Sequence, residues 1–375
     1  MRAILRSFFA ALIVIGGSGF CLAETPAAEV NEVVHKSLEF LRDDMHAWRN
    51  QRHCAACHHG PMYLWASSVA ASNGYSVDQE DLAEHTKWLL SSDARLFPQS
   101  AAEGTEERLS LGTVHLAHAL NVLPKENEHR DQGWKRISEH WQRTQDEGGF
   151  WSGPAGRPPI FNTPRIVTRL VDLAVTDSVA SGMQTGTKET LGASGQSRAR
   201  AWLASGADAS HQGIVLELWS VAQAQYAESR DRMNSLVRIL EKSQRTDGGW
   251  SQAEKLSSDA FATGQTLFAF HRAKVPAENP AVKKGIAFLC RSQRSDGAWP
   301  MQSRVDPTSG KPARNLNPIT YAAAAWGTMG LSSYVQETRP ASVLRRMAPA
   351  VIAGKQPGDR DLRSVNCPIG ECPGN

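Results

Sequence analysis

The chain has 375 residues, of which 41% are hydrophobic and 21% charged. That excludes a disordered polypeptide and leaves room for one large core or two ordinary ones. The formal charge is +3 with no basic run or stripe, so nothing points to nucleic acid as a partner.

The N-terminal segment predicts export. Arg2 and Arg6 precede the apolar run FFAALIVIGG, then SGFCLA and Glu24, the pattern of a secretory signal peptide over 1–23 cut after Ala23. Its removal leaves 39 Lys and Arg against 38 Asp and Glu, a charge of +1. The apolar run is short for an anchor, and no later segment reaches spanning length. The expectation is a periplasmic or secreted protein with no transmembrane span after cleavage. Cys54, Cys57, Cys290, Cys367 and Cys372 then remain, an odd number for an oxidising compartment. Cys367 and Cys372 are positioned to close a small loop in a Pro/Gly-rich tail over 336–375, and Cys290 reads as an isolated thiol in a helix.

Between these ends the sequence repeats. ISEHWQRTQDEGGFW (137–151), VRILEKSQRTDGGW (237–250) and IAFLCRSQRSDGAW (286–299) share one pattern. Gln293 follows Gln244 by 49 residues, and Gln145 precedes Gln244 by 99, about two periods. ARAWLASG (199–206) fills the intervening place without the Gln or the final Trp. HTKWLLSS (85–92) and HKSLEFLRDD (35–44) carry the same helix-end signature upstream, giving six copies. A period of this length with helix–turn–helix content means a helical array.

Each copy predicts an amphipathic helix ending at the motif and a second helix after it, near 59–72, 108–122, 161–174, 210–225, 259–273 and 317–333. Several of the second set, such as GIVLELWSVAQA and ITYAAAAWGTMGL, are apolar on almost every side and must be buried all round. Six inner and six outer helices close into an all-α (α/α)6 toroid, a single domain over 24–335 that needs no polar capping repeats. In the motif, Gly ends the outer helix, Trp is expected to fill the gap between hairpins, and Gln to bond open helix-end carbonyls. The polar insertion 176–197 and the segment 303–318 read as loops able to overhang one mouth of the ring.

QRTDGGW and QRSDGAW resemble the QW motifs of squalene-hopene cyclases and related terpenoid cyclases, whose toroid is shared by protein prenyltransferase β subunits. The resemblance spans about 33–335 and implies the toroid, and with it an enzyme acting on an apolar isoprenoid in the central cavity. Such cyclases start the reaction with a protonating Asp in a D-x-D-D motif. This sequence has no such motif, and SSDAFATGQ offers one acid, Asp259, as the candidate catalytic residue.

The first copy departs from the rest. Where the Gln–Trp turn is expected the chain reads RHCAACHHGPMYLW, and Cys54-Ala-Ala-Cys57-His58 is the C-x-x-C-H signature of c-type haem attachment. Two thiols at this spacing reach the two haem vinyl groups while His58 binds the iron from the proximal side. Two other readings stay open. A structural disulfide between Cys54 and Cys57 leaves His58 and His59 without a role. Zinc would find three ligands in the two Cys and a His, with a fourth position for water. For the open face of the iron, His115 or His118 is the candidate distal ligand, three apart on the second inner helix. Arg165 and Arg169, four apart on another, are placed either to bind an acidic ligand or to edge the helix. The chain is thus expected to be an exported haem c protein on a cyclase-like toroid, with a periplasmic redox partner or an apolar small molecule as its counterpart.

Overall fold

The structure, a computed structural model, describes residues 25–52, 54–55, 58–97, 109–153, 163–182, 191, 193–224, 229–305 and 310–336. Residues 1–24, on which the expected signal peptide falls, Cys57, Cys367, Cys372 and the tail from 337 onward lie outside them. Twelve helices, and no strand, occur among the described residues. The outer set is α1 (Ala27–Arg52), α3 (Gln79–Leu89), α5 (Arg130–Thr144), α7 (Ala193–Ala204), α9 (Ser229–Ser243) and α11 (Pro280–Ser292). The inner set is α2 (His59–Ser72), α4 (Leu111–Val122), α6 (Pro164–Ala180), α8 (His211–Ala224), α10 (Ala260–Arg272) and α12 (Asn317–Tyr334).

Their burial follows the sequence pattern. On α5 the buried positions include Trp134, Ile137, Ser138 and Trp141, one face at helical spacing. On α12 every residue from Tyr321 to Ser333 is buried. The starts are set by local chemistry: Asp78, Thr163, Asp259 and Asn279 cap with their side chains, and Pro164 and Pro280 occupy first-turn positions.

Each inner helix packs on the next, α2 on α4, then α6, α8, α10 and α12, which returns to α2; α1 packs on both α12 and α2. The ring is closed. Because every hairpin runs outer helix first, all six inner helices point the same way and their N-termini gather at one mouth. The segment 303–318 leads into an inner helix and so belongs to that mouth. The described start of 176–197 leads out of one, at the other mouth. The described ends of the two segments thus stand at opposite mouths; residues 183–190, 192 and 306–309, on which the expectation that both overhang one mouth falls, lie outside the described residues. The ends of 176–197 are also helical rather than loop: α6 continues to Ala180 and α7 starts at Ala193.

The repeated turn explains the closure. In its three intact copies Gly149, Gly248 and Gly297 adopt φ of 94°, 90° and 85°. A Cβ on them would lie 2.7 Å from Arg198 O, 2.6 Å from Lys284 O and closer still to Lys36 O, each in the following outer helix. Glycine is required twice, by the left-handed backbone and by the close approach. Gln145, Gln244 and Gln293 each donate from Nε2 to the carbonyl of their own turn glycine. Each also donates to the next outer helix, at Gly195 O, Ala281 O and Val33 O, all at 2.8 Å. The Gln thus ties each repeat to its successor near that helix's start, rather than capping its own helix end. Gln293 performs this across the junction of the last hairpin with the first. Gly297→Ala is expected to destabilise by about 1–3 kcal/mol from backbone strain alone, and by more once the Lys36 carbonyl is displaced. Chemical denaturation measures it.

Candidate functional site

Cys54 and His58 sit where the ring closes. α1 runs past the predicted end of its repeat signature at Asp44 to Arg52, and this extension places Asp44 and Trp48, four apart and on one face, above the start of α2. The turn between them is pinned by Ala55 N donating to Ala94 O at 2.7 Å and by Gly60 N donating to Ala55 O at 3.0 Å. Cys54 is half-buried on this turn. His58 precedes the first residue of α2 with φ −124° and makes no side-chain cap bond.

His59 is fully buried. Its ring is sandwiched between Trp48, at 4.2 Å, and Tyr321 of α12, at 4.1 Å. Tyr321 is held in turn by donating its hydroxyl to Leu41 O at 2.7 Å. His59 Nε2 lies 2.9 Å from Asp44 Oδ2, and His59 Nδ1 lies 2.6 Å from His58 Nδ1. Burial lowers the His59 pKa, with Asp44 opposing the shift, so the neutral ring is the form to consider. A neutral His59 that donates Nε2–H to the Asp44 carboxylate must accept at Nδ1. His58 therefore donates through Nδ1–H, and Nε2 is its unprotonated nitrogen. A carboxylate-anchored imidazole behind a second imidazole is an outer-shell arrangement that orients a ligating histidine and raises its basicity. The donor chemistry at His58 fits a haem iron, and Cys54 lies four residues before it. No cluster of three or more His, Cys, Asp or Glu able to hold a metal ion occurs among the described residues, which omit Cys57.

A second network lies alongside. Tyr63 donates its hydroxyl to Asp81, whose other oxygen is 2.7 Å from His46 Nε2. His85 donates from Nε2 to Gly60 O at 2.9 Å, and its burial pushes its pKa down to about 4.

His115 and His118 are elsewhere. His118 stacks on Trp65 at 4.6 Å and 11° and donates from Nε2 to Leu170 O at 3.1 Å. Trp65 stands six residues into α2 from His59, about 9 Å along the helix axis. His115 is buried on the same helix, its ring 6.0 Å from Trp65. Both belong to the packing around the barrel axis rather than to the His58 mouth. That axis is filled. Trp65, His118, Trp219, Phe268 and Trp326 form a closed circuit of ring contacts, with successive centroids 4.6, 5.1, 5.1, 5.7 and 4.9 Å apart. The five rings come from α2, α4, α8, α10 and α12, and Leu170 joins α6 to them.

Asp259 lies at the same mouth as His58 because it precedes an inner helix. Its Oδ1 accepts from Ala262 N at 2.8 Å and its Oδ2 from Gln252 N at 3.1 Å. Burial raises its pKa to about 6 against these bonds and the nearby Arg304. The structure gives this candidate acid the work of a helix cap.

Comparison with known proteins agrees with the architecture. Residues 203–362 match the family model of the squalene-hopene cyclase C-terminal domain. Among solved structures, the type II terpene cyclase MstE from Scytonema with its product merosterolic acid A is similar at 12% identity and TM-score 0.53, over 82% of this chain and 97% of that one. A polysaccharide lyase is similar at 11% identity and TM-score 0.53, over 87% and 100%. A glycosyl hydrolase of family 88 from Bacteroides vulgatus is similar at 9% and 0.54, over 82% and 99%. At these identities the likeness is one of fold. The chain is a closed α/α toroid of the cyclase-like type.

Sequence reasoning missed Asp44, Trp48 and Tyr321. Asp44 and Trp48 could have been found from their four-residue spacing once α1 was extended to Arg52. Tyr321, 262 residues from His59, leaves no local signal.

Proposed function

We propose that the protein is an exported c-type haem protein whose toroid serves as scaffold, with Cys54 and Cys57 carrying the haem and His58 Nε2 as its proximal ligand. The observation that carries this reading is the Asp44–His59–His58 chain, which places the His58 proton on Nδ1 and so sets the tautomer of a histidine that closes a C-x-x-C-H segment. Haem bound there would supply one-electron transfer or capture of a small ligand at iron. The chain's own residues do the rest. Asp44 fixes the His59 tautomer, His59 accepts the Nδ1 proton of His58, and the Trp48 and Tyr321 rings keep water from His59. The filled axis supports a scaffold role, because the aromatic circuit occupies the space a polyene would need.

The test is expression with and without a cytochrome c maturation system, followed by intact mass and absorption spectrum. A covalent haem increment and an N-terminus at Glu24 are expected. Cys54→Ala or Cys57→Ala should weaken attachment, and His58→Ala should change the iron spectrum. No increment under maturation conditions overturns the reading, and stoichiometric zinc in the same preparation would replace it with the zinc site.

A second reading rests on the family match and on the likeness to MstE: an isoprenoid cyclase-like enzyme. It requires the aromatic circuit to part. Incubation with squalene and with geranylgeranyl dihydroxybenzoate, the substrate of MstE, decides it; a cyclised product would establish this reading over the scaffold.

A further inference from the structure

The fourth repeat lacks both the Gln and the Trp, and its seam is open. In the intact copies the Trp is wedged beside its own hairpin and the following outer helix: Trp250 donates from Nε1 to Leu240 O of α9, its backbone N–H meets Thr263 of α10, and its ring edge reaches Gly285 of α11. The corresponding turn after α7 reads SGADAS (205–210) and supplies no side chain of that size. A cavity of about 690 Å³ lies there, between α7 and α9 with α6 and α8 as its floor. That is the size of a site for a small organic molecule.

Its charges are not balanced. Arg200 pairs with Asp172 at 2.8 Å, and Gln196 donates to the same carboxylate oxygen. Arg232 pairs with Glu217 at 2.5 Å. Asp208 accepts from Ser210 N at 2.9 Å and from the Thr163 hydroxyl at 3.2 Å. Arg165 spends one nitrogen on Leu203 O and Gly206 O, at 2.7 and 2.9 Å, and lies over the Trp202 ring. Arg169 is different. It lines the cavity with a single long hydrogen bond, 3.4 Å to Ser220 Oγ. Burial depresses its pKa while the charges of Glu217 and Asp172 oppose the shift, and a guanidinium stays protonated; neither carboxylate bonds it, so a cation with unused donors faces the space.

We propose that this seam binds a small organic monocarboxylate, its carboxylate on the Arg169 fork and the Ser220 hydroxyl, its apolar body against Ile166, Leu203 and Leu216. A guanidinium presents paired donors that match a carboxylate. The neighbouring Asp172 and Glu217 select against a dianion such as phosphate. The inference is independent of the haem reading, since the cavity lies on hairpins remote in sequence from Cys54.

The test is titration calorimetry of the mature chain, prepared without haem maturation, using benzoate and inorganic phosphate as probes. Benzoate should bind at millimolar concentration or below, and phosphate should not. Arg169→Gln should weaken benzoate about ten- to hundredfold, and Arg169→Lys should retain part of the affinity. Ala204→Trp, on the exposed wall of the cavity, should block binding with every charge in place, which keeps the test open if Arg169→Gln fails to fold. No benzoate binding to the wild type, equal binding by wild type and Arg169→Gln, or phosphate bound as tightly as benzoate would each overturn the proposal.

Discussion

Replacing Trp250 with Ala is expected to destabilise the protein by about 3–5 kcal/mol. The indole is fully buried, so the substitution leaves a cavity that the rigid hairpins on either side cannot close. It also removes the Nε1 donor from Leu240 O, a carbonyl near the end of α9. The neighbouring Gly285, whose Cβ would lie 2.9 Å from the indole, shows that the next outer helix is packed directly on the ring. Trp299, bonded to Leu289 O at 2.9 Å, should behave alike. Trp202 provides the contrast. It is partly exposed, stacks on Phe150 at 4.9 Å and lies under the Arg165 guanidinium, contacts worth about 1 kcal/mol. Guanidinium denaturation with unchanged m separates the cases. A loss under about 1 kcal/mol at Trp250 would place that ring outside the seam.

That contrast explains what could be read in the sequence. The intact motifs gave the period because Gln, Gly and Trp each satisfy a local demand at fixed offsets from one turn: a bond to the turn's own carbonyl, a left-handed residue, a ring over the preceding helix. The inner helices showed because nothing polar interrupts them, and their predicted spans agree with α2, α4, α8, α10 and α12 to within about three residues at each end. α6 ran longer than predicted because Thr176, Asp177 and Ser178 read as loop residues. In the fold Thr176 and Ser178 bond back to Asp172 O and Val175 O, while Asp177 pairs with Arg272 of α10. What could not be read was anything fixed by ring closure. The Gln293 bond to Val33, the Tyr321 ring on His59 and the aromatic circuit all join residues hundreds of positions apart or on alternate helices. The motif gave the chemistry of His58. Of the groups that orient it, His59, Asp44 and Trp48 lie close in sequence, and the Tyr321 ring comes from α12, the far end of the chain brought back at the closure.

Acidification should destabilise the protein through histidines that the fold keeps neutral. His118 is buried in the aromatic circuit, with His115 nearby and its one proton given to Leu170 O, and its pKa falls to about 3. His85 is buried against Gly60 with its pKa lowered to about 4. In the unfolded chain both titrate near 6.5. The unfolded state therefore binds more protons over the window from about 6.5 down to 3–4, and stability is lost as pH falls through it. At pH 5 the loss is about 2 kcal/mol for each histidine. Asp259 acts in the opposite sense. Its folded pKa, raised to about 6, means a penalty above pH 6 that is relieved on acidification, by about 1 kcal/mol between pH 7 and 5. These three groups together give a fall of about 3 kcal/mol over those two units, and His211, its pKa lowered by desolvation to about 4, adds about 2 kcal/mol in the same direction. His118→Phe keeps a ring on Trp65 and removes one titrating group. Its stability should fall less steeply than the wild type's, by about 1 kcal/mol per pH unit between pH 4.5 and 6. Parallel profiles for variant and wild type would mean that His118 is protonated freely in the folded state, and the circuit around it would then be open to water.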